Sequence, residues 1–553
     1  MHALAQDPTL VREFRQILLW PLQLMPAADR TIAGEPWRLL ETTEGHPWAR
    51  LADEFTDDAA QFQERHYHEL TTFLPYVQRL LYGEGKADTP AASESPIRVY
   101  RRTDIAQVRL HYPAAGAALA ETPPTQLLRV VHLDLYFFQG LDVAILVLEL
   151  AAADLPLALV QETLYRLGRA YPTQWREDGR AEHCMAGVEW LGADGSVAAR
   201  SDYDQRELYL QQVCRQRAPR VAAHWEFLLR PLVPHYSDAQ GAVRYRLVDH
   251  HRMPLMAYLA VRDPYALTRA DCVRLAWVTA PGPADCLPFP ERELVDFETR
   301  CCSDRYWHAP GADATAARYL CTGAAFVLLG RSDDAHFVDA ERGLLAQFRH
   351  QDFLLFLLAH LQKAALFMMS DRLVDAINHL KVADPQSVRA FKRRIRELKR
   401  TLLGFTHGYW FQQVSAQTQA RELYRLCQQW LDSERLYSEV RQEVEDMNDY
   451  LDSDSLRRQA NTVVRLTVVT MFGLIGTIST GFLGMNLLAE ADSPLWQRLA
   501  LFFAVFLPTL WLTLYTIIKS QRLSDFLDAL ANENLPARTK FGALLEVWRK
   551  RAD

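Results

Sequence analysis

The residue whose type and position indicate chemistry most directly is Asn486, which closes the tripeptide Gly484-Met485-Asn486 at the end of a long apolar run. A neutral amide dipole can hydrogen-bond the water shell of a cation without stripping it, as a carboxylate would. Because Mg²⁺ gives up its waters reluctantly, a ring of such amides would suit a selective entrance, with Glu490 and Asp492 raising the local cation concentration. The alternative is an ordinary helix end whose loop acids keep the turn soluble.

Further polar positions precede this tripeptide on one helical face. In an assembled pore, rings of hydroxyl side chains would provide polar sites for a hydrated ion, and rings of aliphatic side chains would form narrow segments from which water can withdraw. Leu466 and Val463, nearest the cytoplasm, would form a hydrophobic gate. Small residues that serve helix packing alone are the alternative. Counting back at helical spacing, the predicted pore-lining residues are Gly481, Thr477, Leu474, Thr470, Leu466 and Val463.

Two apolar runs must position these residues. No charged residue occurs from Leu466 to Met485 or from Leu499 to Ile518, and each run is long enough to cross a hydrocarbon core of about 30 Å. Buried core helices, the alternative, usually keep a polar stripe, which these runs lack. We therefore predict transmembrane helices at 463–486 and 499–518, an external loop at 487–498 and a cytoplasmic tail at 519–553.

Basic residues beside the runs predict the orientation. The connecting loop offers only Arg498, whereas the flanks are basic, so the positive-inside rule puts both termini in the cytoplasm of a multi-pass protein of the cell inner (plasma) membrane. The flanking basic residues are Arg457, Arg458, Arg465, Lys519 and Arg522.

Composition restricts the function. With 553 residues, 49% apolar and 23% charged, the chain has the make-up of a globular protein of several domains. A net charge of −7 argues against a nucleic-acid partner. We find no phosphate-binding glycine loop, nucleophile elbow or zinc-hydrolase motif, so we predict no enzyme and no cofactor other than divalent cations.

The rest of the chain predicts a large cytoplasmic part. Segments such as "LLRVVHLDLYFF" and "DVAILVLELAA", joined by "QGLD", read as strands, as does "VRLAWVT". If one helix continued from Thr418 to Met485, it would be a rod of about 100 Å. The predicted divisions are an N-terminal helical region (1–82), a linker or surface loop (83–97), an α/β domain (98–338) and long helices with a stalk (339–462).

A family resemblance rests on the end of the first apolar run. "GFLGMNLL", before a short acidic loop and a second span, resembles the signature of the CorA superfamily of divalent metal-ion transporters, and the likeness continues upstream through "DYLDSDSLRRQANTVVRLT". It covers about the last 170 residues. The resemblance implies a homopentamer with a cytoplasmic α/β domain, stalk helices, a pore-lining first span and an outer second span. Leu483, Leu487 and the enlarged soluble domain mark a divergent member.

The resemblance also implies regulatory metal. In this family cytoplasmic divalent ions bridge subunits through acidic residues, and here the tentative candidates are Asp446, Asp449 and Asp452. A solvated stalk face is the alternative. The clusters "HYHE", "DHH" and "CC" lack the paired spacing of a zinc site, and we interpret each as structural.

Together these patterns predict a divalent cation channel or transporter in the lipid bilayer, conducting Mg²⁺ first and assembled from copies of itself. Two alternatives stay open. One is a proton-coupled Zn²⁺ transporter of the same architecture. The other is a membrane-anchored ligand sensor with a vestigial pore.

Overall fold

The computed structural model describes residues 7–25, 34–51, 64–83, 95–113, 125–239, 241–249, 251–282, 287, 289–307, 316–381, 384–484 and 494–518. The chain divides into two compact units, Met1–Val444 and Glu445–Asp553. The first unit is a mixed α/β domain built on a sheet, and the described part of the second is helical.

The strands are β1 (Val11–Leu24), β2 (Trp48–Arg50), β3 (Ile97–Arg102), β4 (Gln107–His111), β5 (Thr125–Phe138), β6 (Val143–Leu155), β7 (Gly187–Leu191), β8 (Val197–Arg200), β9 (Val233–Pro234), β10 (Arg244–Leu247), β11 (Leu255–Val261), β12 (Cys302–Tyr306), β13 (Ala317–Cys321) and β14 (Ala325–Arg331).

The helices are α1 (Arg38–Thr42), α2 (Glu64–Thr72), α3 (Pro75–Tyr82), α4 (Leu157–Arg166), α5 (Arg206–Gln216), α6 (Ala223–Leu229), α7 (Arg269–Trp277), α8 (Glu291–Cys301), α9 (Ala335–Val338), α10 (Leu344–Gln347), α11 (Phe353–Asn378), α12 (Pro385–Gly408), α13 (Thr418–Trp430), α14 (Ser433–Gly484) and α15 (Leu495–Ile518). A π-helical turn, Phe348–Asp352, joins α10 to α11.

The strands form one sheet whose main path runs β12-β13-β14-β11-β1-β6-β5-β4-β7-β8. The long antiparallel pair β5 and β6 is joined by a turn in which Gly140 has a φ of 78°, so the predicted hairpin at "QGLD" is confirmed. β1 lies in the middle of the sheet, between β6 and β11.

The position of β1 corrects the predicted N-terminal helical region, which is wrong for Val11–Leu24. A strand covered on both faces is almost continuously apolar, and periodicity cannot separate it from a buried helix. The residues of β1 from Ile17 onward are all buried, so the alternation that would mark a half-exposed strand is absent.

Helices cover both faces of the sheet. On one face, alternate residues of β1 such as Phe14, Leu18 and Trp20 join a core with side chains of α4, α6 and α7. Trp20 meets Trp225 of α6 edge to face, with ring centroids 5.9 Å apart. On the other face α11 packs on β1 and β6.

The segment "VRLAWVT", predicted as a strand, is helical instead, because most of it lies in α7. Thr268 caps α7 by accepting a hydrogen bond from the backbone N–H of Asp271, whose side chain accepts from the Thr268 N–H in return. This reciprocal cap satisfies two helix-end donors and fixes the helix start. Most side chains of α7, from Cys272 to Ala276, are buried in succession, so the alternation of buried and exposed residues that marks a surface helix is absent.

Among the described residues, one helical segment is long and apolar enough to cross a membrane, Leu344–Asn378. It has 35 residues and a mean hydropathy of 1.6, but 78% of its apolar window is buried inside the protein, as expected of the core helix α11. That finding covers described residues only, and many side chains of α14 and α15 lie outside them.

The predicted rod from Thr418 is interrupted. α13 ends at Trp430, and Asp432, with a φ of 51°, separates it from α14. A left-handed residue cannot continue an α-helix, so the chain begins a new one. α14 then runs unbroken for 52 residues, about 78 Å at 1.5 Å per residue.

Candidate functional site

α14 carries all six predicted pore-lining residues on one exposed face. Val463, Leu466 and Leu474 are 62%, 69% and 62% exposed, respectively. Thr470, Thr477 and Gly481 are exposed as well. Large aliphatic side chains at this exposure form a surface that the described part of the chain leaves uncovered.

The opposite face of α14 is the one that packs within the second unit. Val468, about 140° around the helix from Val463 at about 100° per residue, is only 4% exposed. A methyl group added at Gly476 would lie 3.2 Å from Cγ2 of Thr509 in α15, whereas one added at Gly473 or Gly481 would meet nothing within 4 Å. The glycine at 476 therefore permits the close approach of α15.

The threonine hydroxyls of α14 donate to the carbonyl oxygens one turn earlier. Thr470 donates to Leu466 at 2.5 Å and Thr477 to Gly473 at 2.9 Å. Since the hydroxyl proton is used inside the helix, the lone pairs of the oxygen are what each side chain offers to its surroundings. The exposed face can thus accept hydrogen bonds or attract cations, but its threonines do not donate outward.

α15 exposes apolar and aromatic side chains along its length. Trp496 near its start is 67% exposed, and Trp511 near its end is 64% exposed and stacks on Tyr515 with centroids 5.4 Å apart. Leu495 and Leu507 are also exposed. A soluble surface rarely presents so many large apolar side chains together.

Of the residues predicted for the outer entrance, the structure describes Gly484 and leaves the others outside the described residues. Gly484 is the last residue of α14. Met485, Asn486, Glu490 and Asp492 lie outside the described residues.

The tentative regulatory acids lie on α14. Asp446 and Asp449 are exposed, and the side chain of Asp452 lies outside those described. Within the described part of the chain, no group of three or more histidine, cysteine, aspartate or glutamate residues could hold a metal ion. A metal on these acids would therefore need ligands from elsewhere.

The segment "HYHE" of the sequence analysis holds only part of a buried cluster around Glu69, and the contribution of His350 was missed. Its carboxylate oxygens lie 3.2 Å from Nδ1 of His350 and 3.5 Å from Nδ1 of His66, and Tyr82 donates to it at 3.2 Å. Burial acts to raise the pKa of Glu69, but the His350 hydrogen bond and the charges of both histidines lower it overall. His350 is distant in sequence, so no local pattern could have found this contact.

A second missed residue is Asp352, at the end of the π-helical turn. Its side chain is fully buried; Gln347 donates to Oδ1 at 3.4 Å, and Oδ2 has no hydrogen-bond partner among the described residues. Burial raises the pKa of Asp352 to about 7. Nothing in the sequence marks one aspartate among many as buried.

A cleft of about 980 Å³ opens in the first unit, between α3 and the end of α12. Its lining includes Tyr76, Arg79, His407, Trp410 and Phe411. Trp410 stacks on Tyr437 in the first turns of α14, with centroids 4.5 Å apart. Aromatic faces beside basic groups suit a planar or anionic small molecule.

No protein-family model matches this sequence, and no curated protein matches it. Among solved structures, one match is the structure of the full-length CmaX protein, at 17% sequence identity, covering 47% of this chain and 88% of that chain with a TM-score of 0.15. A TM-score this low carries no argument about fold or function.

Proposed function

We propose that this chain is one subunit of a homo-oligomeric, most simply pentameric, membrane channel or transporter for divalent cations, with Mg²⁺ as its first substrate. The observation that carries the proposal is the exposed stripe of α14, because it holds the predicted pore residues and faces away from α15. Two helices cannot enclose an aqueous path, so such a stripe is completed only by copies arranged in a ring.

In the proposed pore, Asn486 amides form the outer entrance and hydrogen-bond the waters of the hydrated ion. Glu490 and Asp492 attract cations to it. Further in, the Thr477 and Thr470 oxygens provide acceptor lone pairs toward a passing cation. Leu466 and Val463 form the hydrophobic gate.

The proposal places α14 from about residue 463, together with α15, in the cell inner membrane, with both termini cytoplasmic. The exposed apolar residues of α15 support this placement, because lipid would cover them. Trp496 near one end, with Trp511 and Tyr515 near the other, matches the aromatic belts found at membrane interfaces.

Flux into proteoliposomes tests the function. The purified chain should carry Mg²⁺ down its gradient without a proton gradient, and Zn²⁺, Co²⁺ or Ni²⁺ less well. Uptake of Zn²⁺ that requires a proton gradient would favour the proton-coupled transporter instead. Empty liposomes and liposomes with heat-denatured protein are the controls.

A ligand sensor is the second candidate, and the cleft at Trp410 favours it, because Trp410 stacks directly on α14. A ligand that displaced Trp410 would disturb the start of that helix. Absence of flux for every metal, together with a small molecule whose binding is lost in Trp410→Ala, would favour the sensor over the channel.

A further inference from the structure

α12 presents an unusually basic surface. Apolar residues on one side of it, among them Phe391, Ile395 and Leu398, are buried, and the helix packs on α11. The remaining positions hold seven basic side chains and one acidic one, Glu397, which gives α12 a net charge of +6. The basic residues are Arg389, Lys392, Arg393, Arg394, Arg396, Lys399 and Arg400.

Four of these arginines form one exposed face, called here the basic face: Arg389, Arg393, Arg396 and Arg400. At about 100° per residue they fall within an arc of about 60°. Arg394 lies 3.5 Å from Asp375, but in the described part of the chain none of the four has an ion pair.

Neighbouring like charges at spacings of three and four destabilise a helix. Unpaired guanidinium groups on one face bind carboxylates well, because their planar fork can donate two parallel hydrogen bonds to one carboxylate. The basic face is therefore built to meet a row of acidic groups.

The chain holds a matching surface, called here the acidic segment (442–455) of α14. It contains six carboxylates and no basic residue, a net charge of −6. Glu443, Asp446 and Asp449 are exposed, and these three have no ion pair in the described part of the chain. They follow each other at spacings of three along the helix, so they too form one side of it.

We propose that the basic face of α12 docks on the acidic segment of α14 in a second copy of this chain. The opposite charges of the two surfaces carry the assignment, because charge complementarity fixes which surfaces meet and in which orientation. The contact pairs the arginines of the basic face with part of the acidic segment and needs no metal, so the inference goes beyond the proposed transport and does not rest on it.

The test is a charge swap on the full-length chain in detergent with a chelator present. One variant reverses the basic face (Arg393→Glu, Arg396→Glu, Arg400→Glu), a second reverses the acidic segment (Glu443→Lys, Asp446→Lys, Asp449→Lys), and a third combines both. Self-association is measured by light scattering during size exclusion, over a range of protein concentrations and at about 0.05 and 0.5 M salt, because salt screens such contacts.

Each variant in which one surface is reversed should raise the apparent dissociation constant of the oligomer at least tenfold. The variant in which both surfaces are reversed should restore that constant to within about threefold of the parent. Raising the salt should weaken the parent in the same direction. A control reversal of three other exposed arginines, Arg206, Arg215 and Arg292, should leave association unchanged.

Contact between copies, rather than within one, is tested with two tags. The two singly reversed chains, produced together with different affinity tags, should copurify more strongly than either does with a differently tagged copy of itself. Two results would overturn the proposal. One is that the combined variant does not regain association. The other is that only reversal of the basic face weakens association, while the unreversed basic face binds vesicles of anionic lipid.

Discussion

Aspartate side chains are usually exposed to water, but the carboxyl group of Asp352 is fully buried, and its Oδ2 has no hydrogen-bond partner among the described residues. Desolvation disfavours the charged form and raises the pKa to about 7. The folded protein therefore keeps a proton that the unfolded chain, with a pKa of about 4, releases. This group's contribution to the free energy of unfolding falls as the pH rises from about 4 to about 7, and it is constant above that range.

Asp352→Asn keeps the shape of the side chain and removes its titration. We expect the variant to lose the part of the pH dependence that Asp352 causes, up to about 4 kcal/mol between pH 4 and 7, so that it is more stable than the parent at pH 8. Thermal unfolding by circular dichroism at pH 5 and pH 8 measures this. Equal pH dependence in parent and variant would refute it, and the exposed Asp204→Asn is the control.

At the scale of elements, α14 has two faces with different tasks. Gly476 lies where α15 approaches, whereas a methyl group added at Gly473 would meet no atom of the described residues within 4 Å. The apolar length of the run predicted a long helix here, but it could not tell which glycine meets α15. That distinction comes from packing.

A matched pair of substitutions tests the two faces. Gly476→Leu should destabilise the packing of α14 on α15 by about 1–3 kcal/mol through overpacking. Gly473→Leu should change the stability of the single chain by less than about 0.5 kcal/mol and act on the assembled oligomer instead. The measurements are the thermal unfolding midpoint of the monomer in detergent and, separately, the size of the oligomer. If the two variants behaved alike, the assignment of Gly476 to the α15 contact would be contradicted.

The elements that sequence reasoning misassigned share one physical cause. Other elements cover the second half of β1 and most of α7, so neither segment shows the alternation of buried and exposed residues that marks a period of 2.0 or 3.6. The break between α13 and α14 depends on the single backbone conformation of Asp432. In contrast, the β5–β6 hairpin was predictable because a glycine turn lies between two long apolar strands.

In the whole molecule, the acidic residues of α14 would regulate ion flow through the proposed pore. Carboxylates brought together by several copies repel one another unless positive charge lies among them, which the four arginines of the basic face supply in part and divalent ions supply for the rest. Bound divalent ions would stabilise a closed state to the extent that they bind it more tightly than the open one.

In oligomers that stay assembled, neutralising Asp446, Asp449 and Asp452 together to asparagine should leave conduction intact and raise the cytoplasmic Mg²⁺ concentration needed for half-inhibition several-fold. Flux at a series of internal Mg²⁺ concentrations measures it. Neutralising Asp204, Glu207 and Glu293, which are exposed in the sheet domain, is the control. Unchanged inhibition in the α14 variant would show that its acids are only solvated.

The central claim is that copies of this chain enclose a path for divalent cations whose entrance is Asn486. The most direct measurement is Mg²⁺ uptake by proteoliposomes containing Asn486→Ala, compared with the parent and with Asn461→Ala from the same helix α14. The account predicts that Asn486→Ala assembles normally and loses most or all uptake, because it removes the amide dipoles that hydrogen-bond the hydrated ion, while Asn461→Ala keeps its uptake. Transport by an assembled Asn486→Ala oligomer at the parent's rate would contradict it.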